Sequence, residues 1–474
     1  MLKMRYATPV GLTLGLLSTP ALWAQPTGEY HLDESSRGAL ALTLYQQNLA
    51  LVEERRAVPE LKPGSRVILQ GISPQMQAQT LQISGAGEIT EQNLEQNLIS
   101  LNALLQARIG QTITLARFNS VTGSESRQQA RLLKAEGNQV LVENDSGQIE
   151  SLPLNHGNWR VIFDTPAQHY ALKPRLSFTS QGLTSPGQAQ LRYLTHGLSW
   201  SMDYVINLDA DGSSLSLQGL ATLNNQSGLT WPDARIKLLA GQVNQPAHMR
   251  QAEAMMARAA PMDKAGSSNS PGAVQDYHLY TLPQPLTLND QQQKQVPLIQ
   301  RDGVLAEIRY HQLIRVAAHQ QMPPQQQQAD IRLSFAAPEM DGVKTPLPAG
   351  QARVFRPDDD GQLQFVGGSH LQATATGDRA ELALGKAFDV GVEYRQTAFS
   401  KVFDGYEVSY SVTLNNRSDN SKPFTLNALM PMPYTLEDTD MAPSDTSASM
   451  LEWTFELAPG EEKQLNFSAR LIKS

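Results

Sequence analysis

Chemistry-bearing residues at short spacing are densest in one run, Tyr193-Leu194-Thr195-His196-Gly197-Leu198-Ser199-Trp200, followed by Asp203-Tyr204. Two aromatic rings around a single titratable imidazole could form a ligand platform, which makes Tyr193, His196 and Trp200 the candidate binding residues. The same spacing suits a strand, where Tyr193, Trp200 and Tyr204 pack and His196 is a hydrogen-bonded structural histidine. Packing is the simpler expectation. Gly197-Leu198-Ser199-Trp200-Ser201 is the nearest approach to Gly-x-Ser-x-Gly, and it lacks the final glycine that a strained nucleophile elbow needs. Ser418-Asp419-Asn420 copies one penicillin-binding motif, but no Ser-x-x-Lys accompanies it, and the tripeptide sits where a turn is expected.

Metal and acid–base chemistry find equally little support. Among nine histidines only His311 and His319 lie within ten residues of each other, and there is no His-Glu-x-x-His. Asp209-Ala210-Asp211-Gly212 and Asp358-Asp359-Asp360-Gly361 put carboxylates beside glycine, as calcium loops do, but neither continues to a bidentate Glu. Both read as hairpin turns. A carboxylate pair for glycoside hydrolysis has no sequence spacing to betray it, and 46 acidic residues offer no basis for choosing two. The sequence therefore designates no catalytic residue, no metal site and no cofactor.

The elements that would position any site are strands. Tyr406, Val408, Tyr410, Val412 and Leu414 alternate with polar residues, as do Leu451–Leu457 and Leu465–Leu471 around Pro459-Gly460. The latter two read as a hairpin closing a sandwich. Asp211-Gly212 predicts a second hairpin between Tyr204–Leu208 and Leu215–Leu223. Thr222-Leu223-Asn224-Asn225-Gln226-Ser227 and Thr413-Leu414-Asn415-Asn416-Arg417-Ser418 each end an alternating strand and lead to another, so they read as equivalent edges of two sandwich-like units. Nearer the N-terminus, Ser100 is placed to cap a short helix that Gly110 stops. Five short strands follow between Gln111 and Phe163, the pattern of a small SH3-like barrel.

The expected fold is all-β: immunoglobulin-like sandwich units with a small barrel insertion and one short helix. The expected divisions are a leader at 1–24, an N-terminal β region at 25–99 and the barrel with its helix at 100–165. A first sandwich segment spans 166–246, a flexible Ala/Met/Ser-rich linker 247–275 and a C-terminal sandwich segment 276–474. Gln320–Gln328, with Pro323-Pro324, reads as a second flexible stretch.

Several segments agree in order and spacing with a known group: Tyr193–Trp200 with Asp203-Tyr204; Thr222–Gly228 with Ala234 and Leu238-Leu239-Ala240-Gly241; Tyr277–Leu282 with Lys294-Gln295-Val296; and Gly361–Gly367 with Gly385–Val390. From about Leu40 to the C-terminus the chain resembles uncharacterised exported bacterial proteins that share a C-terminal domain of unknown function with the mucoidy-inhibitor A-like family. The resemblance implies a β-rich exported protein and supplies no catalytic or binding residue. The long N-terminal coiled coil of the mucoidy-inhibitor type has no counterpart here, so control of exopolysaccharide is not expected.

Compartment and charge narrow the partners. Lys3 and Arg5, an apolar stretch over Val10–Leu17 and Ala21-Leu22-Trp23-Ala24 together read as a signal peptide, too short and too rich in Gly and Thr for an anchor. With no cysteine the chain has no lipoprotein attachment site and no disulfide. Without Lys3 and Arg5, 36 basic residues face 46 acidic ones, a formal charge of −10 that disfavours nucleic acid. Aromatics at 6% are too few for the two girdles of an outer-membrane barrel, and no later segment resembles a transmembrane helix. The leading expectation is a periplasmic or secreted envelope scaffold that binds a protein or a surface polymer such as a polysaccharide, and is not an enzyme. The alternative is an envelope-polymer hydrolase with a loop-built site. Edman sequencing of the chain recovered from cell fractions should start near Gln25; an intact Met1 in the cytoplasm contradicts the export reading.

Overall fold

Strands occupy nearly all of the stretches that alternate in sequence. The computed structural model describes residues 28–95, 100–119, 122–154, 159–163, 175–241, 243–244, 273–274, 277–318, 320–340 and 343–473. The leader, all but two residues of the expected linker at 247–275, and His319 lie outside them. Two compact units form. One comprises the chain up to Gly38, with Arg55–Ile72 and Gln82–Leu191; the other comprises Ala39–Glu54, Ser73–Leu81 and Arg192 onward.

In the first unit, Glu29–Leu32, Ser65–Leu69, Arg175–Ser180 and Ile89–Glu95 make a four-stranded sheet. The insertion is a five-stranded antiparallel sheet ordered Ile149–Pro153, Gln139–Glu143, Glu125–Glu136, Thr112–Phe118, Trp159–Ile162. Its last strand returns to its first, the order an SH3-like barrel requires, yet the ladder stays open between edge strands of only five and four residues. The helix is Leu101–Gln106, and Ser100 caps it by accepting the Ala103 N–H at 3.1 Å. Leu105 is the helix residue that reaches the core, beside Ile113, Leu115 and Val140. A six-residue helix cannot persist on propensity, so this packing holds it.

In the second unit the Asn-Asn-x-Ser segments reveal a tandem repeat. Leu198–Leu208 pairs antiparallel with Ser214–Asn225, placing Leu198 opposite Asn225. Arg379–Val402 pairs with Gly405–Asn416 the same way, placing Val390 opposite Asn416. Each hairpin is followed by a strand, Trp231–Ala240 or Lys422–Leu429, that pairs parallel with an earlier one, Arg37–Tyr45 or the C-terminal part of Gln292–Arg315. The side chains repeat too. Asn225 Nδ2 donates to the carbonyls of Leu229, Leu288 and Asn289, while its Oδ1 accepts from Ser227 N and Oγ. Asn416 Nδ2 donates to the carbonyls of Asn420, Leu457 and Ala458, while its Oδ1 accepts from Ser418 N and Oγ. Turn propensity alone would produce the local Ser bond. It would not bring the same two distant carbonyls to both amides.

The core of the second repeat lies between the strand pair Lys422–Leu429 and Met450–Leu457 and the strand pair Gly405–Asn416 and Glu462–Ile472. Trp453 sits 5.3 Å from Phe467, which stacks on Tyr410 at 5.5 Å. Two sequence expectations change here. Leu451–Leu457 and Leu465–Leu471 are not a hairpin: the first pairs with 422–429, the second with 405–416, and Pro459-Gly460 joins two strands that do not pair with each other. At that turn the Asn416 amide donates to the Leu457 and Ala458 carbonyls, and Glu461 N–H closes the turn onto Ala458. Gln325–Gln328 is not a loop but the start of the strand Gln325–Ala336, paired with Gly391–Tyr394. Low propensity yields there to a ready-made ladder.

Candidate functional site

The run singled out from sequence lies in the second unit, where the burial pattern explains its spacing. Tyr193 and Trp200 are each 1% exposed, so both rings belong to the core. Trp200 Nε1 donates to the Leu239 carbonyl at 3.1 Å, and its ring meets Tyr280 edge-on at 6.5 Å. Tyr204 is buried with its hydroxyl donating to the Pro348 carbonyl at 2.7 Å, and burial pushes its pKa far above the ordinary tyrosine range. His196 is half-buried and committed at both nitrogens. Nδ1 donates to the Asn48 carbonyl at 2.8 Å, which leaves Nε2 to accept from Gln77 Nε2 at 3.0 Å. Gly197 follows with φ +84°, and a Cβ there would come within 2.5 Å of Ser227 Cα. The three candidates are adjacent in the fold and act as a joint between strands.

The acidic clusters are turns. Asp211 Oδ1 accepts from Ser213 N and Oγ, and Asp358 accepts from Gln364 Nε2, Gln362 N and Asp360 N. Hydrogen bonds from their own turns hold both carboxyls below the usual carboxylate range. Among the described residues no three His, Asp or Glu side chains are grouped to hold a metal ion.

A different place gathers ionisable groups. On the second repeat, period-two alternation turns Phe424, Leu426 and Ala428 to the core and Thr425 and Asn427 outward. The neighbouring strand does likewise, with Ile314 in the core and Arg309, His311 and Leu313 on the outer face. That face hollows into a cleft of about 630 Å³, lined among others by Arg309, His311, Arg332, Glu381, Asn427 and Glu452. Register aligns them: Arg309 stands opposite Arg332, His311 opposite Thr425, Leu313 opposite Asn427, and Asn427 opposite Glu452.

A relay of hydrogen bonds lies at the bottom. Asn427 Nδ2 donates to Glu452 Oε2 at 3.0 Å, so Asn427 Oδ1 is the acceptor for His311 Nε2–H at 2.8 Å. His311 is 9% exposed, and its Nδ1 is buried with no hydrogen-bond partner. Burial, followed by the Arg332 charge, lowers the His311 pKa below its ordinary value, so the ring is neutral with a bare lone pair. At the rim, Arg309 pairs with Glu307 at 2.5 Å, while Arg332 is exposed and has no ion pair among the described residues. Two arginines directly opposite each other repel, and Arg332 keeps its guanidinium donors available. Sequence reasoning considered His311 only for its distance from His319. The outward polar positions were visible as alternation, but nothing local joins 309–313 to 425–427 and 452.

Residues 189–471 match the family described as Domain of unknown function (DUF4139), which covers more than half of the chain, and the chain belongs to that family. No curated protein matches it.

The depressed His311 pKa ties stability to pH. The neutral ring's contribution is complete above the ordinary value of 6.5 and is lost as pH falls below it, because the unfolded chain then binds a proton that the folded chain resists. Urea midpoints taken from about pH 7.5 to about pH 5 should therefore decline more steeply for the native chain than for His311→Gln, which keeps a donor near Nε2. Equal acid sensitivity in the two proteins would contradict this account of the cleft.

Proposed function

We propose that this chain is an exported envelope scaffold that binds a polyhydroxylated surface polymer in the cleft of its second repeat. The observation that carries the reading is the mixed lining of that cleft. Guanidinium donors from Arg332 and carboxylate acceptors from Glu381 and Glu452 line one cleft, Arg332 and Glu381 on strands that pair directly. A sugar hydroxyl both donates and accepts, so it can use each of these groups, and rigid strands spare the cost of ordering loops. His311 Nε2 and Asn427 Oδ1 bond each other, and Asn427 is held in turn by Glu452, so the two side chains form the floor of the cleft.

Export, to the periplasm or outside the cell, rests on the basic start, apolar core and small-residue end of the first 24 residues. Kinship with the mucoidy-inhibitor A-like proteins is part of the same proposal and rests on the ordered segments from Tyr193 to Val390. A hydrolase acting on the same polymer is the competing reading, because Glu381 and Glu452 both line the cleft. Carboxylates facing one space are what glycoside hydrolysis requires.

Retention of the chain lacking residues 1–24 on immobilised surface polysaccharides and cell-wall fragments tests the proposal. Arg332→Ala and Glu381→Gln alter exposed side chains and should each weaken retention about tenfold, ~1.4 kcal/mol, without moving the urea midpoint. Bound polymer should keep its length. Shortened fragments that disappear with Glu381→Gln or Glu452→Gln would transfer the assignment to the hydrolase. Failure to retain any polymer would contradict both readings.

A further inference from the structure

The two repeats differ at one edge, and the difference identifies a second binding site. Leu198 opposite Asn225 corresponds to Val390 opposite Asn416. The bond from Gln226 N to the Gly197 carbonyl corresponds to that from Arg417 N to the Asp389 carbonyl. Leu194-Thr195-His196 in the first repeat is therefore equivalent to Lys386-Ala387-Phe388 in the second.

In the first repeat the chain covers this edge itself. Met76 bridges Thr195 in antiparallel fashion. Gln77 N donates to the Leu194 carbonyl at 2.8 Å, and His196 N donates to the Gln75 carbonyl at 3.1 Å. Side chains add to the pairing: Ser73 Oγ lies 2.6 Å from Thr195 Oγ1, and Gln77 bonds the His196 ring. Gln75-Met76-Gln77 thus caps the edge with a single antiparallel bridge.

In the second repeat no segment among the described residues takes that place. The ladder to 325–336 includes Lys386 and resumes at Gly391, while the ladder to 405–416 begins at Val390. Ala387-Phe388-Asp389 falls outside both. The position equivalent to the half-buried, doubly bonded His196 carries Phe388, whose side chain is 89% exposed. A groove of about 640 Å³ adjoins it, walled in part by Gln327, Glu393 and Arg417. Exposed edges are normally blunted, and a bare phenylalanine on one does the opposite.

We propose that the Lys386–Phe388 edge docks an extended peptide segment of a partner protein, which adds there as a short antiparallel strand. Its backbone would pair with Lys386 and Phe388 as Gln75–Gln77 pairs with Leu194 and His196, and an apolar side chain of the partner would lie on Phe388. The first repeat is the internal precedent for the geometry and for the length of segment needed.

The nine-residue peptide Ser73–Leu81, fluorescently labelled, is the probe, read by anisotropy against the chain lacking residues 1–24. Saturable binding is expected, weakened at least tenfold by Phe388→Ala and also by N-methylation of the peptide at Gln77, which removes the N–H aimed at Lys386. Hydrogen exchange of the unliganded protein supplies a readout independent of affinity: the His196 amide should be slow, and the Phe388 amide fast until the peptide is added. No binding, or binding indifferent to both changes, would overturn the proposal. So would a Phe388 amide as protected as that of His196 in the free protein. Protection that grows with protein concentration alone would assign the edge to a second copy of the chain and equally overturn it.

Discussion

Two asparagine side chains hold the second unit together at the points where its ladders run out. Where a strand ends and the chain turns away from its ladder, backbone carbonyls lose regular partners, and a buried one left without a donor costs free energy. Asn225 and Asn416, 0% and 1% exposed, each donate to three backbone carbonyls, one of these bonds buried, while Oδ1 anchors the next turn through a serine. An amide can do this because it presents two N–H donors and an acceptor on one rigid plane. The registers on either side follow from where these amides sit, and so does the inside-or-outside fate of every alternating residue beyond them.

That fate separates the roles of the two repeats. In the first, the aromatics of the Tyr193–Tyr204 run turn inward and His196 ties the Asn48 loop to the segment that closes the sheet edge. In the second, the same construction leaves its outer face polar and hollow around His311, and leaves Phe388 bare on the edge. The first repeat is thus closed by its own chain at an edge that the described residues of the second leave open. The DUF4139 match, residues 189–471, runs through both Asn-Asn-x-Ser segments, while Arg37–Tyr45 and Gln75–Gln77 of the first repeat lie outside it.

Much of the fold was legible in the sequence. Asp211-Gly212 marked its hairpin, Ser100 its helix cap, and the paired Asn-Asn-x-Ser segments the repeat, because each is a local solution to a backbone problem. Pro459-Gly460 misled because a turn signal reports that the chain reverses, and not which strand the next one pairs with. Gln325–Gln328 misled because polar composition describes a chain without neighbours, whereas Gly391–Tyr394 gives it a ladder. The cleft was illegible for a stronger reason. Its floor is built from His311, Asn427 and Glu452, brought together only when three strands distant in sequence become adjacent.

Urea unfolding of Asn416→Ala and Asn416→Asp, with the matching changes at Asn225, tests the claim that these amides hold the fold. Alanine withdraws the amide from the buried Leu288 or Leu457 bond and from two further carbonyls, and removes the acceptor of the following serine, so it should cost about 2–4 kcal/mol at either site. Aspartate is nearly isosteric but sets a carboxylate against the same carbonyls, so it should cost at least as much. Loss of roughly this size in all four variants is the predicted result. An Asn416→Asp or Asn225→Asp chain within about 0.5 kcal/mol of the native protein, as a surface substitution would be, would contradict it.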